Sequence, residues 1–328
     1  MFKRFLNLML AASLLLMVCA GISAQSDYQG IDYCAIMTAP DCAIKNSNSA
    51  AMDEVYAFAV SLSMRMDIEA ADPAESASVT MEGGGRVALD PALIEASTAL
   101  ETATGMDSAT IVALANELIG GLAGEMSLIL TTTSADESME LPLDLLMKDG
   151  VVAVNMAAFG EESDESMAGW LGIELADIVE SAGLKDSEAE GETHDLDYEA
   201  VTRAMTIIRL SDSELNGQPV AVFQTDLDFG ALMESIGMAE LTDAMSADAA
   251  AMDFVGDASL HVVEYISLAD FTTQRLEVAM TTMDEAEAEF ALAMTMRLDL
   301  SDFNNPVDVA LPEDVFVIPL AMMQQMNQ

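Results

Sequence analysis

Residues 55–68 read Val55-Tyr56-Ala57-Phe58-Ala59-Val60-Ser61-Leu62-Ser63-Met64-Arg65-Met66-Asp67-Ile68. From Tyr56 to Ile68 every even position is apolar, and the odd positions between them are small or polar. That is the period of two with which side chains leave a strand on opposite faces. The pattern returns near the other end of the chain. There Phe290, Leu292, Met294, Met296, Leu298 and Leu300 alternate with Ala291, Ala293, Thr295, Arg297 and Asp299. Just upstream, Leu276, Val278 and Met280 alternate with Arg275, Glu277 and Ala279, and the acidic residues 284–289 join the two runs as a hairpin. One-sided alternation over such lengths predicts an antiparallel sheet covered on a single face.

Turn chemistry places further strands. Asp149-Gly150 separates 139–147 from 151–159, and Asn216-Gly217 separates 204–210 from 219–228. Both pairs supply the positive φ of tight hairpins. Gly83-Gly84-Gly85 reads as a third turn, joining 76–82 to 86–89. Helical patterns stand between the strand groups. One starts at the cap pair Asp90-Pro91 and reaches Thr102, a second covers 108–122, and a third covers 174–182 and stops at Gly183. Two more fall at 229–236 and 239–252. Strand groups interrupted by helices without a βαβ rhythm predict an α+β fold. Leu260 to Ile266 supplies one more strand. No Pro- or Gly-rich linker divides the chain, so residues 53–328 read as a single domain with a hydrophilic loop, Asp186 to Asp197, near its middle.

Composition bounds the function. The chain has 328 residues, a net charge of −46 and 52% apolar residues, so it combines strong acidity with ample material for a core. Nucleic-acid binding is excluded for want of any clustered Lys and Arg, and direct adsorption to an anionic membrane is disfavoured for the same reason. Residues 1–24 have the parts of a secretory signal: Lys3 and Arg4, an apolar run from Phe5 to Val18, and the small-residue ending Ile22-Ser23-Ala24. Cys19, following Leu16-Met17-Val18, offers a lipid anchor as the alternative. Val18 stands where such signals carry a small residue, so cleavage after Ala24 is favoured. An extracytoplasmic location follows, in which Cys34 and Cys42 read as a local disulfide stapling an N-terminal extension over 25–52.

The second half also carries a likeness. A strand, Asn216-Gly217-Gln218-Pro219-Val220, a strand, a helix from Phe229, the strand 260–266 and two long strands lead to Asp302-Phe303-Asn304-Asn305-Pro306 and then Leu311-Pro312. This order and the closing motif resemble bacterial cell-envelope lipoproteins of the LppX/LprG type and, more distantly, LolA-like carriers. The resemblance implies a strongly curved antiparallel half-barrel whose concave face is covered by helices, enclosing a cavity for acyl chains. The chain departs from those proteins in its weak lipidation signal and its acidity.

On that reading the apolar faces line the cavity: Tyr56, Phe58, Val60, Leu62, Met64 and Met66 from the first run, Leu276, Val278 and Met280 from the second, and Phe290, Leu292, Met294 and Met296 from the third. Methionine, present 26 times, is long and polarizable enough to adapt to flexible lipid tails, and equally able to fill an ordinary core. The expected function is therefore a non-enzymatic carrier of a lipid or other apolar ligand, without a cofactor, working with an envelope protein partner. A structural envelope protein with a filled core is the alternative.

Metal binding is a lesser reading. Met64/Met66, Met294/Met296 and Met322-Met323-Gln324-Gln325-Met326 offer soft sulfur for Cu(I), and Asp186, Glu188, Glu190 and Asp197 offer oxygens at calcium-loop spacing. Position twelve of that loop is Asp197 rather than the usual Glu, so a solvated acidic loop is favoured. Only His194 and His261 exist, and no Gly-x-Ser-x-Gly, HExxH or phosphate-binding loop is present. Trp170, with Ile173 and Ile178, reads as an anchor holding the 174–182 helix on the sheet rather than as a sugar platform.

Overall fold

The computed structural model describes residues 33–70, 76–94, 108–134, 137–159, 169–175, 204–228, 258–282 and 290–318. The proposed signal segment, the acidic loop 186–197, the helices expected at 229–236 and 239–252 and nearly all of the one at 174–182 lie outside these residues.

Two antiparallel meanders make one sheet. The first is β1 (Ala57–Ala70), β2 (Ala77–Leu89), β3 (Leu122–Ser134), β4 (Glu137–Lys148), β5 (Val151–Asn155) and β6 (Trp170–Glu174). The second is β7 (Met205–Arg209), β8 (Ser213–Leu215), β9 (Gln218–Asp228), β10 (Ala258–Ser267), β11 (Thr273–Thr282) and β12 (Phe290–Ser301). The two long alternating runs that predict the sheet pair with each other, β1 against β12 from Ala59↔Ser301 to Ala70↔Phe290, and so join the two halves. The order is β13-β6-β5-β4-β3-β2-β1-β12-β11-β10-β9-β7, with β8 beside β9 and a short parallel β13 (Phe316–Val317) on β6. The sheet is large, curved and unclosed.

Asp149-Gly150 and Asn216-Gly217 form the expected hairpin turns, with φ of 51° and 79° in the first and 52° and 79° in the second. The closing motif has a structural cause as well. Asn304, at φ 59°, accepts a hydrogen bond from the Tyr56 N–H, donates its amide to the Glu54 carbonyl and donates its backbone N–H to the Ala57 carbonyl. One side chain in the left-handed region thus ties the end of β12 to the start of β1, a conformation asparagine tolerates better than most residues.

The structure corrects three expectations. Gly83-Gly84-Gly85 is not a turn, because β2 runs through it and pairs on both sides. A Cβ at Gly83 or Gly85 would stand 2.1 or 2.0 Å from a β3 carbonyl, and one at Gly84 would stand 2.6 Å from the Val60 carbonyl. The glycines are there because three backbones approach too closely for side chains. Second, the N-terminal extension carries a helix where none is expected, α1 (Ala39–Asp53), which packs on the sheet. Third, β3 fills a span that carries no predicted strand. The helix expected from Asp90 begins as one turn at Pro91–Leu93, with the Asp90 carboxylate accepting from the Ala92 N–H; the remainder of that span after residue 94 is outside the described residues. The second helix, α2, covers Ser108–Gly121.

Candidate functional site

The register sorts the long strands into two faces. On one, Val79, Met66, Met294, Met280, Leu260 and Leu227 form a single row across six strands. The next row runs Leu141, Leu130, Met81, Met64, Met296, Val278, Val262. A third runs Leu143, Leu128, Gly83, Leu62, Leu298, Leu276 and then meets Glu264, Phe223 and Arg209. Side chains from β4 to β10 belong to one apolar cluster, with Val60, Met280 and Leu292 packed at its margin. The candidate residues Leu62, Met64, Met66, Leu276, Val278, Met294 and Met296 all lie within it and are buried. Met64 stands opposite Met296, and Met66 opposite Met294. Phe58 follows on the same face of β1, half-buried; Phe290 begins β12, and its side chain is outside the described residues. Tyr56 precedes β1, and its hydroxyl donates to the Asn304 carbonyl at 2.7 Å.

The β9–β10 end of this face differs. Here α1 lies on the sheet, with Ile44 and Met37 packed against Ala221, Phe223 and Ile266. Between them is a polar network. Lys45 donates to Glu264, which is only 6% exposed, and Glu264 also accepts from the Thr273 hydroxyl at 2.8 Å. Asn48, 1% exposed, donates to Thr273 Oγ1 and to the Phe271 carbonyl. Arg209 approaches Asp41 at 3.5 Å, and its guanidinium and the Lys45 ammonium both lie over the Phe223 ring. Cys34 and Cys42 are joined by a disulfide that binds the first turn of α1 to the segment before it. Sequence reasoning misses this network: its partners are more than two hundred residues apart, and the buried positions Asn48 and Ser49 give α1 no apolar stripe. The available signal is local, Thr38-Ala39-Pro40-Asp41, a good helix start.

The other face is polar. Arg275 and Arg297 both bond Asp299, and Arg65 donates two bonds to Asp67, holding its carboxyl below the ordinary range. Burial and the neighbouring Glu277 carboxylate raise the Tyr265 phenol. His261 pairs with Asp226 on β9, and the residue opposite it on β11 is Ala279. No group of three metal-ligating side chains occurs among the described residues. The calcium candidates Asp186, Glu188, Glu190 and Asp197 and the methionines of 322–326 lie outside them.

No family model matches the chain, and no curated protein does. Solved structures do. The Mycobacterium tuberculosis lipoprotein LppX is 10% identical, with 83% of this chain and 100% of that one covered at a TM-score of 0.34. LprF from Mycobacterium bovis is 8% identical, covering 82% and 94% at 0.31. A putative outer membrane lipoprotein-sorting protein domain from Vibrio parahaemolyticus is 11% identical, covering 81% and 93% at 0.21.

Proposed function

We propose that this protein is an extracytoplasmic, non-enzymatic carrier that holds a lipid or similar apolar ligand against the apolar face of its sheet, between the sheet and helices that cover its concave side. The observation that carries this reading is the unbroken apolar surface from β4 to β10, rich in methionine at its centre. Such a surface binds by burial alone, each enclosed methylene contributing about 0.8 kcal/mol. Unbranched thioether side chains re-pack around tails of different shape at little cost. With a net charge of −46, the carrier is repelled by anionic bilayers at low salt, and loading or delivery calls for a protein partner, divalent cations or high ionic strength.

Titration of the mature protein with an environment-sensitive apolar dye, followed by displacement with a fatty acid, tests the proposal. Saturable dye binding reversed by the fatty acid is the expected result; absence of binding overturns it. One observation favours a second reading. Met294 and Met296 are only 2% and 3% exposed, as in a filled core, which fits a structural envelope protein built on the same sheet. That reading predicts no dye binding and no displaceable ligand.

A further inference from the structure

Across the polar face one row reads Ser61, Gly84, Ser127, Asp144, on β1 to β4. It continues through Asn155, whose amide donates to Asp144, to Trp170, which is paired with Asn155 on β6. At this end of the row a shallow groove of about 420 Å³ opens to solvent, lined by Trp170, Leu146, Asp144, Ser127, Glu125 and the backbone of Gly84. The sequence reading of Trp170 and Ile173 as one anchor fails here, because they alternate to opposite faces of β6. Trp170 stands with the groove, and Ile173 with the apolar face.

The groove has a definite chemistry. Ser127 Oγ donates to Asp144 Oδ1 at 2.7 Å and Asn155 Nδ2 to Oδ2 at 3.4 Å, so the carboxylate is held from both sides and keeps acceptor capacity for a further donor. Glu125 adds a second acceptor, Ser127 a hydroxyl, and Trp170 with Leu146 an apolar wall. Gly84 contributes only backbone to the lining. A ligand that fits must donate several hydrogen bonds along its edge and present a flat C–H face to an indole, whose π-face is electron-rich. It must also carry no negative charge in a chain at −46. A pyranose ring meets all three demands. We infer that this groove is a binding site for a neutral saccharide, separate from the apolar face and divided from it by the thickness of the sheet. A lipid enclosed on the apolar face does not present its own head group here, so the saccharide is external to the carried ligand.

Trp170 is the chain's only tryptophan, so intrinsic fluorescence reports on this groove alone. The mature protein is titrated with cello- and manno-oligosaccharides, with an oligogalacturonate as the anionic counterpart and choline as a cationic competitor for the same acceptors. A saturable emission shift with a neutral oligosaccharide is expected, with none from the uronate or from choline. Asp144→Asn weakens that binding about tenfold or more, the scale of one hydrogen bond to a charged acceptor. Thermal unfolding and apolar-dye binding of the same variant stay unchanged, which separates this site from the apolar face. No shift with either neutral series, an equal or larger response to choline or the uronate, or full binding by Asp144→Asn overturns the inference.

Discussion

The two ends of the apolar face are built on different physics. From β4 across to the middle of β11 its buried positions form one apolar cluster in which Leu, Val and Met meet Leu, Val and Met. Toward β9 and β10 the same face meets α1 through a chain of hydrogen bonds that runs from Lys45 to Glu264, then to Thr273 at the start of β11, and then to Asn48. Apolar contact is forgiving of shape, while a buried ion pair is satisfied in one arrangement only. The first suits a surface that must accept different occupants; the second suits a helix that must always dock in the same place. On the proposed reading, adaptability and positional precision sit in adjacent parts of one face.

Breaking the polar end has the largest expected effect. Glu264→Ala leaves Lys45 and the Thr273 hydroxyl without their acceptor, and urea unfolding should show a loss of about 3–5 kcal/mol, the range for removing one partner of a buried pair. Replacing both charges, Lys45→Met with Glu264→Leu, should recover most of that loss. At the apolar centre, Met294→Ala should cost about 2–4 kcal/mol by opening a cavity, whereas Met294→Leu should cost less than about 1.5 kcal/mol. If the centre is the adaptable region, the leucine variant narrows the range of acyl chains bound while stability barely moves.

Smaller effects come from the sheet's margins. Asn304→Ala removes the side-chain bonds to the Tyr56 N–H and the Glu54 carbonyl and puts a less tolerant residue at positive φ, for an expected loss of about 1–2 kcal/mol. Asp270, in the β10–β11 turn, gives the smallest. Burial alone would raise its carboxyl, but bonds with Ser267 and Thr272 outweigh it and hold it below the ordinary range. A depressed acid contributes stability that is complete above its unfolded value, about 3.9, and lost as pH falls through the folded one. Asp270→Asn should therefore lower stability slightly at neutral pH and make its fall on acidification shallower.

What could be read in advance follows from the range of each interaction. The strands around Met64 and Met294 are legible because alternation is a local signal, as are the Asp-Gly and Asn-Gly turns. Gly83-Gly84-Gly85 misleads because three glycines signal a turn. The continuing phase of Val79, Met81 and Val87 is the sign that the strand goes on, and the close approach that demands glycine comes from strands far away in sequence. Helix α1 hides for a related reason: its sheet-facing side mixes Ile44 with Lys45, Asn48 and Ser49, and what makes Asn48 and Lys45 buried is Thr273 and Glu264, more than two hundred residues on. The groove beside Trp170 needs the register of β3 to β6 before its residues become neighbours.

The central claim is that the apolar face holds a ligand. Its most direct test is mass spectrometry of an organic-solvent extract of the protein, purified without detergent from its native source. A stoichiometric lipid or other apolar molecule, lost from a variant with Met64 and Met296 both changed to bulkier Phe, is the predicted result. An extract with no apolar molecule above background, from protein that also binds no apolar dye, would contradict the account and leave the sheet with a filled core.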